Sequence, residues 1–171
     1  SNLRQLSLAW NLYAMENNDN ICSSNTYWND RISSKNWIAD GYNLPTNYIG
    51  GTAEAIRNGV LWPFTQCLGI YKCKSDPSEL LRSYSMSRNM GCGEPGIGYT
   101  SLSQISNASE KMLFIDAKCY SAFSAPNRWI ELYYEPITFS TFLNLLHWTT
   151  FGGTTARHHG GCNLSFADLH C

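Results

Sequence analysis

Charge is scarce in this sequence. Asp, Glu, Lys and Arg make up 15% of its 171 residues and nearly cancel, leaving a formal net charge of -1. Neutralising a phosphate backbone takes a basic stripe, so no nucleic-acid partner is expected. Apolar runs stay well short of the ~18 residues a membrane span requires, and the N-terminus carries no signal-peptide pattern. The 7 cysteines contain no Cys-x-x-Cys pair, which removes the usual marks of a zinc ribbon or a thioredoxin-like site. No Gly-x-Ser-x-Gly elbow, phosphate-binding glycine loop or repeat of solenoid length is present either.

What the chain does have is apolar and aromatic mass: 43% hydrophobic residues, with 10 Tyr and 6 Trp. That suffices for one domain with a real core, spanning residues 1–171. Seven cysteines with few charges suit an oxidising, extracytoplasmic setting, and disulfides are expected there. An odd count leaves one thiol unpaired, or paired with a cysteine outside this sequence.

Residues 2–17 read as a helix built to lie against a partner surface. Leu3, Leu6, Trp10, Tyr13 and Ala14 share one stripe, while Arg4, Gln5, Asn11 and Glu16 lie mainly off it. Asn17, Asn18, Asp19 and Asn20 tolerate left-handed backbone and stop the helix. A long connection over 21–51 is punctuated by Tyr27, Trp28, Trp37, Ile38 and Tyr42. Residues 52–58 form a helical turn that Gly59 closes, 59–64 an apolar knot and 70–73 an extended piece closed by Asp76-Pro77. The alternation over 83–87 is that of a half-buried strand, and the four glycines of 91–98 make a loop. Residues 111–116, apolar on both faces, read as a central strand covered by a helix. A weaker strand follows over 127–134 and a short helix over 141–148. The chain closes with a tight turn over 157–161 and a strand over 162–168 that carries Leu164 and Phe166 on one face. A helix first and antiparallel strands afterwards, joined by long loops, make an α+β fold.

Chemistry is sparse. His147, His158, His159 and His170, with Asp116 and Asp168, are the residues from which a metal site or a hydrolase centre would be built. Catalytic zinc usually takes three protein ligands, but no His-x-x-x-His pair shares a helix face, and His158 and His159 diverge on extended backbone. Calcium at Asp116 and Asp168 is a candidate with only two acids in view, where several oxygen ligands are wanted. The plainer expectation is a structural one. His158 and Asp168 hydrogen-bond across or along the final hairpin, with Arg157 as a charge partner and Gly160 and Gly161 forming the turn. Trp28, Trp37, Trp129 and Tyr133 either stack on sugars or anchor loops on the core. Residues 114–119 and 166–171 both read Phe-x-Asp-x-x-Cys. If their strands are parallel neighbours, Cys119 and Cys171 leave them at the same offset and fall within disulfide reach.

His158, nine intervening residues and Asp168 also carry a resemblance, as does the local text Arg-His-His-Gly-Gly-Cys-Asn-Leu-Ser-Phe-Ala-Asp over 157–168. With Asn-Leu-Arg-Gln-Leu at 2–6, Gly-Val-Leu-Trp-Pro-Phe at 59–64, Tyr-Lys-Cys-Lys-Ser-Asp-Pro at 71–77, Ser-Tyr-Ser-Met at 83–86 and Lys-Met-Leu-Phe-Ile-Asp at 111–116, the chain resembles bacterial prepilin-like proteins. Their C-terminal mark is a His, nine residues, then Asp-Gly. These are pseudopilin-like relatives of type II secretion and type IV pilus subunits. The resemblance implies a pilin-like head without catalysis or cofactor. It also implies a leader cleaved by a prepilin peptidase and an apolar helix ahead of residue 1 that anchors the head in the inner membrane. The head would be periplasmic or on the cell surface, and this chain its soluble fragment. Its partners would be other pilin or pseudopilin subunits, with a glycan or secreted protein as a further one. Two departures stand out: Leu169 replaces the family Gly, and residues 120–155 match no landmark. A secreted carbohydrate-binding module and a metal-dependent hydrolase are the alternative functions.

Overall fold

The Ser1 hydroxyl accepts the Arg4 N–H at 3.3 Å and starts helix α1, Asn2–Glu16. The computed structural model describes residues 1–24, 35–38, 52–87, 89–91, 98–116, 158–159 and 161–171. Along α1 the helical period gathers Leu3, Leu6, Trp10, Tyr13 and Ala14 on one buried side, as their spacing requires. The helix stops where the Asn17 side-chain amide donates to the Tyr13 carbonyl at 2.7 Å and Asn18 and Asp19 turn left-handed at φ 54° and 71°.

The buried side of α1 rests on a three-stranded antiparallel sheet, β1 (Tyr84–Met86), β2 (Met112–Asp116) and β3 (Leu164–Phe166), in the order β1-β2-β3. One N-terminal helix and one antiparallel sheet make the fold α+β. All five residues of β2 are buried, the condition of a central strand. Between β2 and β3 the register runs Met112 to Phe166, Phe114 to Ser165 and Ile115 to Leu164, with an irregularity between Met112 and Phe114. Such a bulge leaves backbone groups to be satisfied locally, and the Ser165 hydroxyl accepts the Phe114 N–H at 3.3 Å. Ser165 also meets α1, its Oγ hydrogen-bonded to Ser7 Oγ at 2.9 Å. Leu164 and Phe166 share a face as expected, but it is the half-buried one, and the fully buried residue of β3 is Ser165.

Short elements close the rest of the core. Thr52 caps α2 (Ala53–Arg57) by accepting the Ala55 N–H at 3.1 Å, and Pro63 sits in the first turn of α3 (Trp62–Thr65). The extended piece expected over 70–73 is instead a 3-10 turn, Leu68–Tyr71, followed by extended Lys72. Tertiary contacts decide this: the Asn2 side-chain amide donates to the Gly69 and Lys72 carbonyls at 2.9 and 2.7 Å, and the Tyr71 hydroxyl lies 3.0 Å from Thr65 Oγ1. Trp37, 1% exposed, packs on Tyr71 and Phe114 with ring centroids 6.3 and 5.3 Å away, and the Arg82 guanidinium stands 5.2 Å from the Trp37 ring centroid. Burial at this centre pushes the Tyr71 phenol up to about 12. The strand expected over 127–134 and the helix over 141–148 lie outside the described residues, as do Trp28, Trp129, Tyr133 and His147.

Candidate functional site

Three segments far apart in sequence meet at one end of the sheet. Cys73 follows the 3-10 turn, Asp116 ends β2, and His158 opens the C-terminal hairpin. His158 is fixed by a two-way bridge: its N–H donates to the Gly161 carbonyl at 3.2 Å and its carbonyl accepts the Gly161 N–H at 3.0 Å. That closes the tight turn, with His159 left-handed at φ 52°. His158 Nε2 then lies 3.0 Å from Asp116 Oδ2 and 3.4 Å from Cys73 Sγ. Asp116 is fully buried, Cys73 is buried, and the His158 side chain is 30% exposed. Tyr84 of β1 borders the group. Burial first, then the charges of Cys73 and Asp116 and a hydrogen bond with Cys73, drive its phenol pKa upward against a small opposing effect of Asn2.

The hydrogen bond expected between His158 and Asp168 is not made. Asp168 pairs instead with His170, Oδ1 to Nδ1 at 2.5 Å, and the His170 ring stacks on Phe166 at 4.2 Å. The antiparallel register explains why. The Asn163 carbonyl accepts the Asp116 N–H, whereas the Lys111 carbonyl accepts the Ala167 N–H. His158 and Asp168 therefore lie toward opposite ends of β2, about 16 Å apart along a strand at ~3.3 Å per residue. The same separation removes the calcium site expected at Asp116 and Asp168. Slight burial raises the Asp168 pKa, but the hydrogen bonds and charge of His170 outweigh it, and the net direction is down. Arg157 and Gly160 lie outside the described residues.

The cysteine pairing fails on the same ground. β2 and β3 are neighbours, as their shared Phe-x-Asp-x-x-Cys text suggested, but antiparallel, so their C-terminal ends point apart. Cys171 is a free thiol, as are Cys22, Cys67 and Cys73, and Cys119 lies outside the described residues. No disulfide joins the described cysteines. Trp37 cannot stack on a sugar, because the core encloses it.

Sequence reasoning named Asp116 and His158 but not their third companion. Cys73 gave no local signal, since its partners are 43 and 85 positions away and only the sheet brings them together. Leu169, by contrast, marked a real feature. It closes the turn after Asp168 in left-handed backbone at φ 74°, with its N–H donating to the Phe166 carbonyl at 3.0 Å. A side chain there costs roughly 1–2 kcal/mol in steric strain. Leu169→Gly is therefore expected to raise stability by about 1 kcal/mol, less if the unfolded chain's added freedom offsets more of the gain. Urea unfolding measures it, and a loss of stability would show that the leucine side chain contributes more than its backbone costs.

Comparison with protein-family models, with curated proteins and with solved structures finds no match.

Proposed function

We propose that this chain is the head of a pseudopilin-like structural subunit of a type II secretion or type IV pilus-related apparatus, without catalysis. One observation carries the reading beyond the resemblance of motifs. On the side of α1 away from the sheet, Leu8, Leu12 and Met15 fall at i, i+4 and i+7 and are 48%, 37% and 68% exposed. A helix serving only its own core would be polar there. An apolar stripe on both sides suits a helix that packs inward on its sheet and outward on the helices of neighbouring subunits. The partners on this reading are other pilin-like subunits, with the head held at the inner membrane.

No helix among the described residues is long and apolar enough to cross a membrane. The reading therefore requires a short basic leader and about 20 apolar residues ahead of residue 1 in the full-length protein. A gene without them overturns it. The second check is assembly. Leu8→Asp with Leu12→Asp is expected to leave the isolated head folded, within the roughly 0.5 kcal/mol typical of surface changes, while the full-length protein loses crosslinking to its neighbours in cells. Undiminished crosslinking would show that this face is not the contact.

A further inference from the structure

We propose that Cys73, Asp116 and His158 bind one divalent transition-metal ion of the zinc class. Their ligand atoms, a sulfur, a carboxylate oxygen and an imidazole nitrogen, lie within 4.8 Å of one another. A tetrahedral centre with a ~2.3 Å metal–sulfur bond and ~2.0–2.1 Å bonds to nitrogen and oxygen sets its ligand atoms about 3.3–3.6 Å apart. The observed 3.4 Å between Cys73 Sγ and His158 Nε2, and 3.0 Å between His158 Nε2 and Asp116 Oδ2, are close to that, while the Cys73 and Asp116 ligand atoms, within 4.8 Å of each other, draw together by up to about 1.2 Å when an ion binds.

The alternative for such a trio is a Cys-His-Asp nucleophile. That chemistry needs the two ring nitrogens in separate roles, one toward the thiol and the other held by the carboxylate. Here Sγ and Oδ2 both approach Nε2. One nitrogen cannot take the thiol proton while donating to the carboxylate, whereas a sulfur, a nitrogen and an oxygen gathered within 4.8 Å of one another are what an ion requires. Mixed sulfur, imidazole and carboxylate ligation favours zinc or cobalt over calcium or magnesium. Burial of Cys73 and Asp116 makes three-point ligation a clamp that ties the 3-10 segment, the end of β2 and the C-terminal hairpin together. The partly exposed His158 leaves a side from which the ion enters and water completes its shell. In this arrangement the histidine of the His-nine-Asp motif is a metal ligand and the aspartate is not.

The test uses the purified chain, kept reduced with a phosphine, stripped by chelator and titrated with cobalt(II). Expected is one equivalent bound, with a thiolate-to-cobalt charge-transfer band and the intense visible bands of a four-coordinate site, both bleached by one equivalent of zinc. Cys73→Ser removes the charge-transfer band. His158→Gln, at a partly exposed position, weakens binding more than about 100-fold, beyond the roughly 10–100-fold that loss of a supporting partner costs. Cys67→Ser and Cys171→Ser, at exposed thiols, leave both unchanged. Wild-type protein without a thiolate band overturns the proposal whatever the variants do, as does a band that survives Cys73→Ser or disappears in either control.

Discussion

Trp10→Ala lowers the unfolding free energy by about 3–5 kcal/mol in denaturant titration. The side chain is fully buried in the middle of α1's inner stripe, between Leu6 and Tyr13. Removing it forfeits the transfer energy of one of the largest side chains and leaves a cavity, because Ser7 on the helix and Ser165 on the sheet hold the two layers at a fixed approach. Trp10→Phe separates the two parts of this effect. The indole N–H is buried with no hydrogen-bond partner, a condition that costs roughly 1–3 kcal/mol. Phenylalanine loses ring volume but also removes that donor, so it is expected to cost clearly less than alanine. A Trp10→Ala loss below about 0.5 kcal/mol, the scale of surface changes, would place the helix's inner stripe elsewhere.

The helix and the sheet were legible because their signals are local. Leu3, Leu6, Trp10 and Tyr13 repeat at the helical period, and Tyr84 to Met86 alternates as a strand does, although all three residues are buried where a half-buried strand was expected. The unbroken apolar run from Met112 to Ile115 fits a strand covered on both faces. The outer stripe of Leu8, Leu12 and Met15 was equally visible and had the same period, yet the inner stripe, with its aromatics, is the stronger signal. What failed needed the sheet's strand order and register. Antiparallel strands were expected, but that β3 lies directly beside β2, and in which register, decides where His158, Asp168 and Cys171 end up, and nothing within either strand encodes it. Cys73 joins Asp116 and His158 for the same nonlocal reason. Gly59 shows a position read correctly for an incomplete reason. It does follow a helix, but a Cβ there would lie 2.2 Å from the Trp37 carbonyl oxygen, so the glycine also makes room for another stretch of backbone.

Among the described residues that kind of crowding is greatest at Gly91, and Gly91→Ala is expected to cost more than the ~1–3 kcal/mol usual for overpacking. Two penalties coincide. The residue holds φ +79°, where an L side chain costs roughly 1–2 kcal/mol. Its Cβ would also stand 2.0 Å from the Cys22 carbonyl oxygen and 2.7 Å from its carbon, backbone atoms that cannot swing aside as a side chain does. Nor can either chain segment retreat freely: the Gly91 N–H donates to the Tyr99 carbonyl at 2.8 Å, and the Ser24 N–H donates to the Met90 carbonyl at 3.1 Å. Gly91→Asn distinguishes the penalties, since asparagine tolerates left-handed backbone but still carries a Cβ. If conformation alone mattered, asparagine would recover most of the loss; the close approach to Cys22 predicts that it stays nearly as damaging as alanine. Gly69→Ala is the control, because a Cβ there meets only the Cys67 sulfur at 3.8 Å, an ordinary contact. Thermal unfolding of the three variants decides the matter, and a Gly91→Ala protein as stable as Gly69→Ala would mean that Gly91 does not lie against Cys22.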